Sequence, residues 1–448
     1  MEIQITEDDQ TSKPKDPYIS KKKLIYCCFS FIGLINNLGY VLIITSAQQF
    51  AAKLNNDKLI AFYPLALIIF NSISRFINSK YCITISYFKR VLGLTIYFCF
   101  GYLFLFTVLT IIDNSEDFNK NLAFILTLIP AVIMGTGQSF GEATFLGYIR
   151  TFPEDYVSGW SSGTGFAGVF GATLSLTFKL IEESFHLKNL YLIISPITIV
   201  FFLAFYWTFK IKKNIDDKIT FINRTTEGNN DVENNNENNN DLPERPSDLL
   251  RDIHQDNAPT DVSKNKEMSL KNFPLVFKYG KRYILNLALV YFIEYTICSG
   301  LCERANFFGH VNSKGYFYEK AQYEAFLLFY QIGVVISRSS LFIFKYLTFV
   351  ELLNIFQFIN FIFWFLEAKI GIISNQWLCF ISLIFLGLCG GGVYVGCFYF
   401  ILNDNKIPPE YKELTLNIST IFVDIGVLLS SLACIILDST IMKSENKE

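Results

Sequence analysis

Eleven stretches of about 20 mostly apolar residues run through the sequence, each long enough to cross the roughly 30 Å hydrocarbon core of a bilayer as a helix. They occupy residues 24–47, 59–78, 91–112, 122–147, 160–181, 187–209, 280–302, 323–344, 346–366, 376–402 and 414–437. Water does not reach the bilayer core, so each backbone there must satisfy its own hydrogen bonds, which predicts α-helix throughout. Composition agrees. Of 448 residues 51% are hydrophobic and only 17% are charged, where soluble domains carry about 25% charge. A soluble globule is excluded.

The remaining polar sequence organises the chain. Residues 1–23 form a tail with Glu7, Asp8 and Asp9 followed by Lys21, Lys22 and Lys23. The apolar stretch after it is too long for a signal-peptide core and lacks an obvious cleavage site, so an uncleaved first helix is expected. With the N-terminus cytosolic, the cytosolic loops hold Arg75, Lys80, Lys89, Arg90, Lys210, Lys212 and Lys213, while Asp113, Glu116, Asp117, Glu182 and Glu183 fall on the other side. That bias follows the positive-inside rule and sends the short tail 439–448 to the far face. Residues 210–279 form an insert in which eight of the twelve residues 229–240 are Asn, and disorder on the cytosolic face is expected there. Leu249-Leu250 follows Asp241, Glu244 and Asp248, the pattern of an acidic dileucine signal that trafficking adaptors would read.

Several classes drop out. A net charge of −2 with no long basic run argues against nucleic acid. The ten Cys include no C-x-x-C pair, which suggests neither a disulfide framework nor a metal site. There is no P-loop, no nucleophile elbow and only His186, His254 and His310, so no catalytic residues, no cofactor and no enzyme activity are expected.

One fixed offset reveals a repeat. Shifting the chain by 255 positions pairs Gly135 with Gly390, Gly137 with Gly392, Gly141 with Gly396, Phe145 with Phe400, Pro153 with Pro408, Tyr156 with Tyr411, Gly171 with Gly426 and Ser175 with Ser430. The same shift lays the first stretch on the seventh and the third on the ninth. The second and eighth need an offset of 263, which lays Ile73-Ser74-Arg75 on Ile336-Ser337-Arg338. No counterpart of the sixth stretch fits before Glu448. The expected fold is therefore an all-α membrane protein with about 11 transmembrane helices in a 6+5 parallel pseudo-repeat. Its expected parts are an N-terminal six-helix bundle at 24–209 and a C-terminal five-helix bundle at 280–438. Parallel repeats joined by a cytosolic loop are the major-facilitator-like architecture, in which two bundles rock about a site near the midplane.

Ionisable groups inside spans are costly and are candidates for function. In this architecture the first, fourth, seventh and tenth helices line a central space, gathering Asn36, Asn37, Glu142, Glu294, Tyr295 and Tyr394. Glu142, Glu294 and Asp424 are candidates for substrate binding or proton coupling, against a structural reading as interhelical pairs. Arg75 and Arg338 are candidates for a cytosolic gate or for contact with an anionic solute. Ser161, Ser162 and Thr164 open the fifth span among Gly residues, where close helix packing is the first reading and anion contact the second.

Short segments spread along the chain form a recognisable set: Gly39-Tyr40-Val41 after Asn36-Asn37, then Gly141-Glu142-Ala143-Thr144-Phe145-Leu146, then Trp160-Ser161-Ser162-Gly163-Thr164-Gly165. They continue with Val290-Tyr291-Phe292-Ile293-Glu294-Tyr295, Ser337-Arg338-Ser339-Ser340-Leu341, Gly390-Gly391-Gly392 with Tyr394, and Asp424-Ile425-Gly426. In these segments the chain resembles the battenin family of lysosomal and vacuolar membrane proteins. The resemblance implies a multi-pass protein of lysosomes, late endosomes or vacuoles, tied to organelle pH homeostasis, basic amino-acid balance and clearance of glycerophosphodiesters. The chain departs from the animal protein in ending Ser444-Glu445-Asn446-Lys447-Glu448, without a prenylation-type Cys box. The expected activity is secondary transport of a small polar or anionic solute, with protons as a coupling partner. The alternative is a membrane scaffold that controls endolysosomal trafficking through its cytosolic loop.

Overall fold

The computed structural model describes residues 17–54, 60–82, 84–114, 119–153, 156–181, 186–233, 273–307, 321–340, 350–373 and 375–440, and its regular structure there is entirely helical. A short 3₁₀ turn, Ile19–Lys21, leads into α1 (Lys22–Thr45) and α2 (Ala47–Lys53). Next come α3 (Phe62–Ile68), α4 (Asn71–Lys80), α5 (Tyr87–Asn114), α6 (Lys120–Ile149), α7 (Val157–Leu180), α8 (Leu187–Ile194) and α9 (Ile197–Glu233). The second half holds α10 (Phe273–Thr296), a π-helical segment (Ile297–Leu301), α11 (Cys302–Phe307), α12 (Gln322–Ser339), α13 (Val350–Ile370), α14 (Gln376–Asn403) and α15 (Pro409–Ser439).

Each of the eleven apolar stretches contains helix, and eight helical runs among the described residues are long and apolar enough to cross a membrane. The other three differ for visible reasons. The second stretch is broken at Ile69-Phe70 into α3 and α4, α7 is rich in Gly, Ser and Thr, and α12 carries Gln322, Glu324, Gln331 and Arg338 within its 18 residues. Outward-facing side chains such as Ile96 (63% exposed), Ile199 (60%) and Ile381 (62%) form an apolar coat too extensive for a water-facing monomer. The chain is a multispanning membrane protein.

Two boundaries differ from expectation. Helix α9 continues to Glu233 instead of ending near 209, and α10 begins at Phe273, seven residues before 280. A 37-residue helix is about 55 Å long, more than the roughly 30 Å bilayer core requires. Its extension is tied down by the Tyr18 hydroxyl, which donates to Asp216 Oδ1 at 3.0 Å while the ring packs on Phe152 at 5.1 Å. Most of the insert, with Leu249-Leu250, lies outside the described residues, as do residues 1–16 and 441–448.

Glycines set the closest helix contacts. On α7 a Cβ at Gly163 would lie 2.0 Å from the Ser30 carbonyl oxygen of α1, and on α15 one at Gly426 would lie 2.4 Å from that of Ala288 on α10. The same economy joins α6 to α3, where a Cβ at Gly135 would run into the Leu67 carbonyl, and α14 to α12, where one at Gly387 would run into that of Tyr330. Leu67 and Tyr330 are 263 positions apart, the register deduced for the second and eighth stretches. Without a hydrophobic force between helices in lipid, such close approach and interhelical hydrogen bonds hold the bundle. On α13 the buried Gln357 and Asn360 supply the latter, donating to the carbonyls of Leu386 and Ser382 on α14. Across the halves α7 packs on α12, and α3 and α4 pack on α15.

Adding one methyl at Gly135 must push α3 away from α6. We expect Gly135→Ala to destabilise the protein by about 2 kcal/mol. Gly93→Ala, whose Cβ meets nothing within 4 Å, should be neutral. Thermal unfolding in detergent compares the two.

Candidate functional site

The break between α3 and α4 begins a new helix inside the bundle. Asn71 opens α4, and its side chain hydrogen-bonds Asp424 of α15. One turn on, Arg75 Nη1 donates to Asp424 Oδ2 and Nη2 donates to Glu142 Oε2 of α6 at 3.0 Å. Asp424 thus meets the first turn of α4, where free N–H groups favour negative charge. Arg75 and Glu142 belong to the first half and Asp424 to the second, so this ion pair crosses the interface. The three side chains are 15%, 15% and 12% exposed.

Arg338 has the matching position in the second half and different company. Among the described residues it makes no ion pair. Its guanidinium lies 4.5 Å from the ring centroid of Tyr394 on α14, and its Nη2 donates to the Tyr291 hydroxyl at 3.2 Å. Its Nε is buried with no hydrogen-bond partner. The positive charge is held by tyrosines, an arrangement that fixes a guanidinium without neutralising it.

From Arg338 the aromatic groups continue inward. Tyr394 stands edge-on to Tyr291 at 6.4 Å, Tyr291 stacks on Tyr295 at 6.1 Å, and the Tyr295 hydroxyl shares a 2.9 Å hydrogen bond with that of Tyr40 on α1. Tyr40 and Tyr295 are 255 positions apart, the offset of the repeat. They are each other's image, and they meet between the halves. Glu294, beside Tyr295 in sequence, is only 2% exposed, fits against Gly390, and has the Tyr330 hydroxyl as its hydrogen-bond partner.

The sequence candidates divide into four groups. Arg75, Glu142 and Asp424 form the ion-paired cluster, and Arg338, Tyr394, Tyr295 and Glu294 lie along the tyrosine ladder. Asn36 and Asn37 join α1 to α6. Asn36 Nδ2 donates to the Gln138 carbonyl at 3.0 Å, and Asn37 Oδ1 accepts from Gln138 Nε2 at 3.1 Å. The α7 hydroxyls are engaged within α7 and with α1: Thr164 Oγ1 donates to the Ser161 carbonyl (2.8 Å), and Ser162 Oγ shares a hydrogen bond with the Tyr26 hydroxyl of α1 (3.1 Å).

Beyond the tyrosine pair, at the end where α1 finishes, the halves meet again. Gln49 Nε2 donates to Glu324 Oε1 at 2.9 Å, and both residues are almost wholly buried. On the other side of the pair Asn37, Gln138, Arg75, Glu142, Arg338 and Asp424 all keep partial exposure. The polar interface is sealed at one end and accessible toward the other. Sequence reasoning missed Tyr40, Gln49, Glu324 and Tyr330. Tyr40 carried a signal, identity with Tyr295 at the repeat offset. Glu324 is the second residue of its stretch, where a carboxylate reads as a flank.

The profile of the CLN3 protein family matches residues 27–444. The chain belongs to that family. It is 30% identical over 427 residues to battenin of Dictyostelium discoideum, covering 93% of this chain and 94% of the relative. It is 27% identical over 427 residues to Protein BTN1 of Saccharomyces cerevisiae, covering 92% and 93%. Among solved structures it superposes on a bacterial homologue of the human lysosomal transporter Spinster with a TM-score of 0.58 at 12% identity, covering 96% of this chain and 84% of that one. A D-xylose–proton symporter gives 0.56 at 11%, covering 94% and 91%. The fold of this family member is major-facilitator-like.

Removing the guanidinium of Arg75 would leave Glu142 and Asp424 facing each other unpaired. We expect Arg75→Gln to cost about 3 kcal/mol in thermal stability, and Arg75→Gln/Asp424→Asn to recover at least half of that loss.

Proposed function

We propose that this protein is a secondary transporter of the lysosomal or vacuolar membrane that moves a small polar metabolite between the lumen and the cytosol. The observation that carries the proposal is the company of Arg338. A permanently charged group lies at the partly exposed interface between the halves, held by Tyr291 and Tyr394 with no carboxylate in ion-pair contact and with Glu294 acting on it only through space. A guanidinium so placed suits a solute bearing a phosphate or carboxylate. Glycerophosphodiesters and the carboxylate of basic amino acids both meet that requirement.

In this reading Arg75, Glu142 and Asp424 act as a gate. Their ion pair joins the halves at the end where α1 begins, the cytosolic end by the distribution of Lys and Arg, and opening there requires the pair to part. Glu142, Asp424 and Glu294 supply carboxylates for proton coupling. One proton moving down a gradient of two pH units supplies about 2.7 kcal/mol, enough for about hundredfold accumulation. Such coupling would bear on organelle pH. Placement in an acidic organelle rests on the kinship with battenin and BTN1.

The test is uptake by purified protein in liposomes, with labelled glycerophosphodiesters and basic amino acids, with and without an imposed pH gradient. Wild type should accumulate one of them, and Arg338→Gln should raise its KM at least tenfold with the protein still folded. Deleting residues 228–257 should leave flux intact. No gradient-driven flux or exchange of any tested solute, together with loss of binding partners on that deletion, would make the trafficking scaffold the correct reading.

A further inference from the structure

Helix α12 turns a long polar side chain toward the first half at Glu324, Gln331 and Arg338, seven residues apart each time. Seven residues are close to two helical turns, so the three share a face. Each meets the first half at a different depth. Glu324 Oε1 accepts from Gln49 Nε2 of α2 at 2.9 Å, and the Gln331 side chain fills the place that a Cβ at Gly168 of α7 would take. The Arg338 side chain passes 3.8 Å from the Cβ position of Gly165, also on α7. Glu324 and Arg338 are thus held about 21 Å apart on one rigid element, one at the sealed end and the other at the accessible end.

The contact at the sealed end is built from few atoms. Gln49 is 3% exposed and Glu324 1%. Gln49 follows the joint between α1 and α2, where Ser46 shares a 3.1 Å hydrogen bond with Ser175 of α7, and Gln49 Nε2 is itself 3.4 Å from the same Ser175 hydroxyl. Gln49 is therefore anchored in the first half and reaches the second through its amide N–H. Its Oε1 is buried with no hydrogen-bond partner in the protein. A buried acceptor left unmade makes closure less favourable than it could be, which suits a contact that has to open. A cavity of about 30 Å³ runs from the Tyr40–Tyr295 pair toward this contact, with Thr45 and Leu327 in its wall.

We propose that Gln49 and Glu324 form the luminal latch of the carrier, and that α12 couples this latch to the solute site by holding Glu324 and Arg338 on one face. The proposal deepens the carrier reading and rests on it. By the distribution of Lys and Arg the sealed end is the luminal one. The halves part there only when Gln49 releases Glu324, just as the other end parts only when Arg75 releases Asp424. A shift of α12 set by what Arg338 binds is carried along the helix to Glu324. Gly165 and Gly168 leave α7 without side chains where Arg338 and Gln331 pass, so that motion meets backbone alone. Gln49 and Glu324 are positioning residues.

The experiment measures the distance between spin labels at Asn114 and Lys369 in full-length protein in lipid nanodiscs, with the labels on keto amino acids so that the native cysteines stay in place. Both positions are exposed, close to the ends of α5 in the first half and α13 in the second. The 2.6 Å pair of Lys53 with Asp113 and the packing of Trp364 on Phe326 at 5.4 Å put both at the latch end. We expect wild type to show mainly a short distance, and Gln49→Leu and Glu324→Leu to raise the long-distance fraction at least about threefold. Glu324→Gln keeps an acceptor for Gln49 and should stay at the wild-type fraction. In Gln49→Cys/Glu324→Cys, bridging the thiols with a reductant-cleavable bis-thiosulfonate should remove the long distance and stop flux of glycerophosphodiesters and basic amino acids. Reductant should restore both, with the single-Cys variants as controls for native thiols. This pair carries the test if the Leu variants fail to fold. Lowered thermal stability with an unchanged distance in both Leu variants makes the contact purely structural and overturns the proposal. So does a Glu324→Gln fraction equal to that of Glu324→Leu, or flux that continues in the bridged protein. Flux absent for every solute in wild type, with the distances behaving as expected, sinks the carrier reading alone.

Discussion

A charged group surrounded by hydrocarbon must find its counterpart inside the protein, and that demand governs how the two halves of this molecule meet. Arg75 satisfies it with one carboxylate from its own half and one from the other. Asn71 and Arg75, four residues apart on one face of α4, meet Asp424 together. Much of the remaining interface, from the exclusion of Glu294 to the tyrosine ladder, is arranged around keeping further charges dry, few and individually placed.

The repeat makes the departures from symmetry informative. Arg75 and Arg338 occupy equivalent positions, yet one is clasped by carboxylates and the other lies against aromatic faces. Where the first half has Gly39, the second has Glu294, and where the first has Asn36, the second has Tyr291. The first half thus carries a clasped cation, and the second a cation without an ion-pair contact within electrostatic reach of the buried Glu294. The two halves share a scaffold and differ at a few inward-facing positions.

Hydropathy and the repeat made the fold legible, because length and apolarity are what a bilayer selects. The break at Ile69-Phe70 was hidden, since no Pro or Gly marks it, although the stretch turns polar at Asn71-Ser72. The π-helical segment was equally silent. Within the site, rare ionisable residues in spans identified Arg75, Glu142, Glu294, Arg338 and Asp424. Their partners were not legible, because pairing depends on which helices touch. Tyrosines posed the opposite difficulty. In a chain with 24 of them, composition cannot distinguish Tyr40 and Tyr330 from residues that merely fill the core.

A residue near a twofold axis faces its own copy, so neither member of the pair is fixed by its surroundings as the giver of the hydrogen. Either hydroxyl of Tyr40 and Tyr295 can be the donor. The bond therefore has two arrangements that differ by the rotation of two O–H vectors, with every heavy atom in place. Exchanging one for the other reverses a local dipole at the seam of the molecule, and a change that small is within reach of a single neighbouring proton.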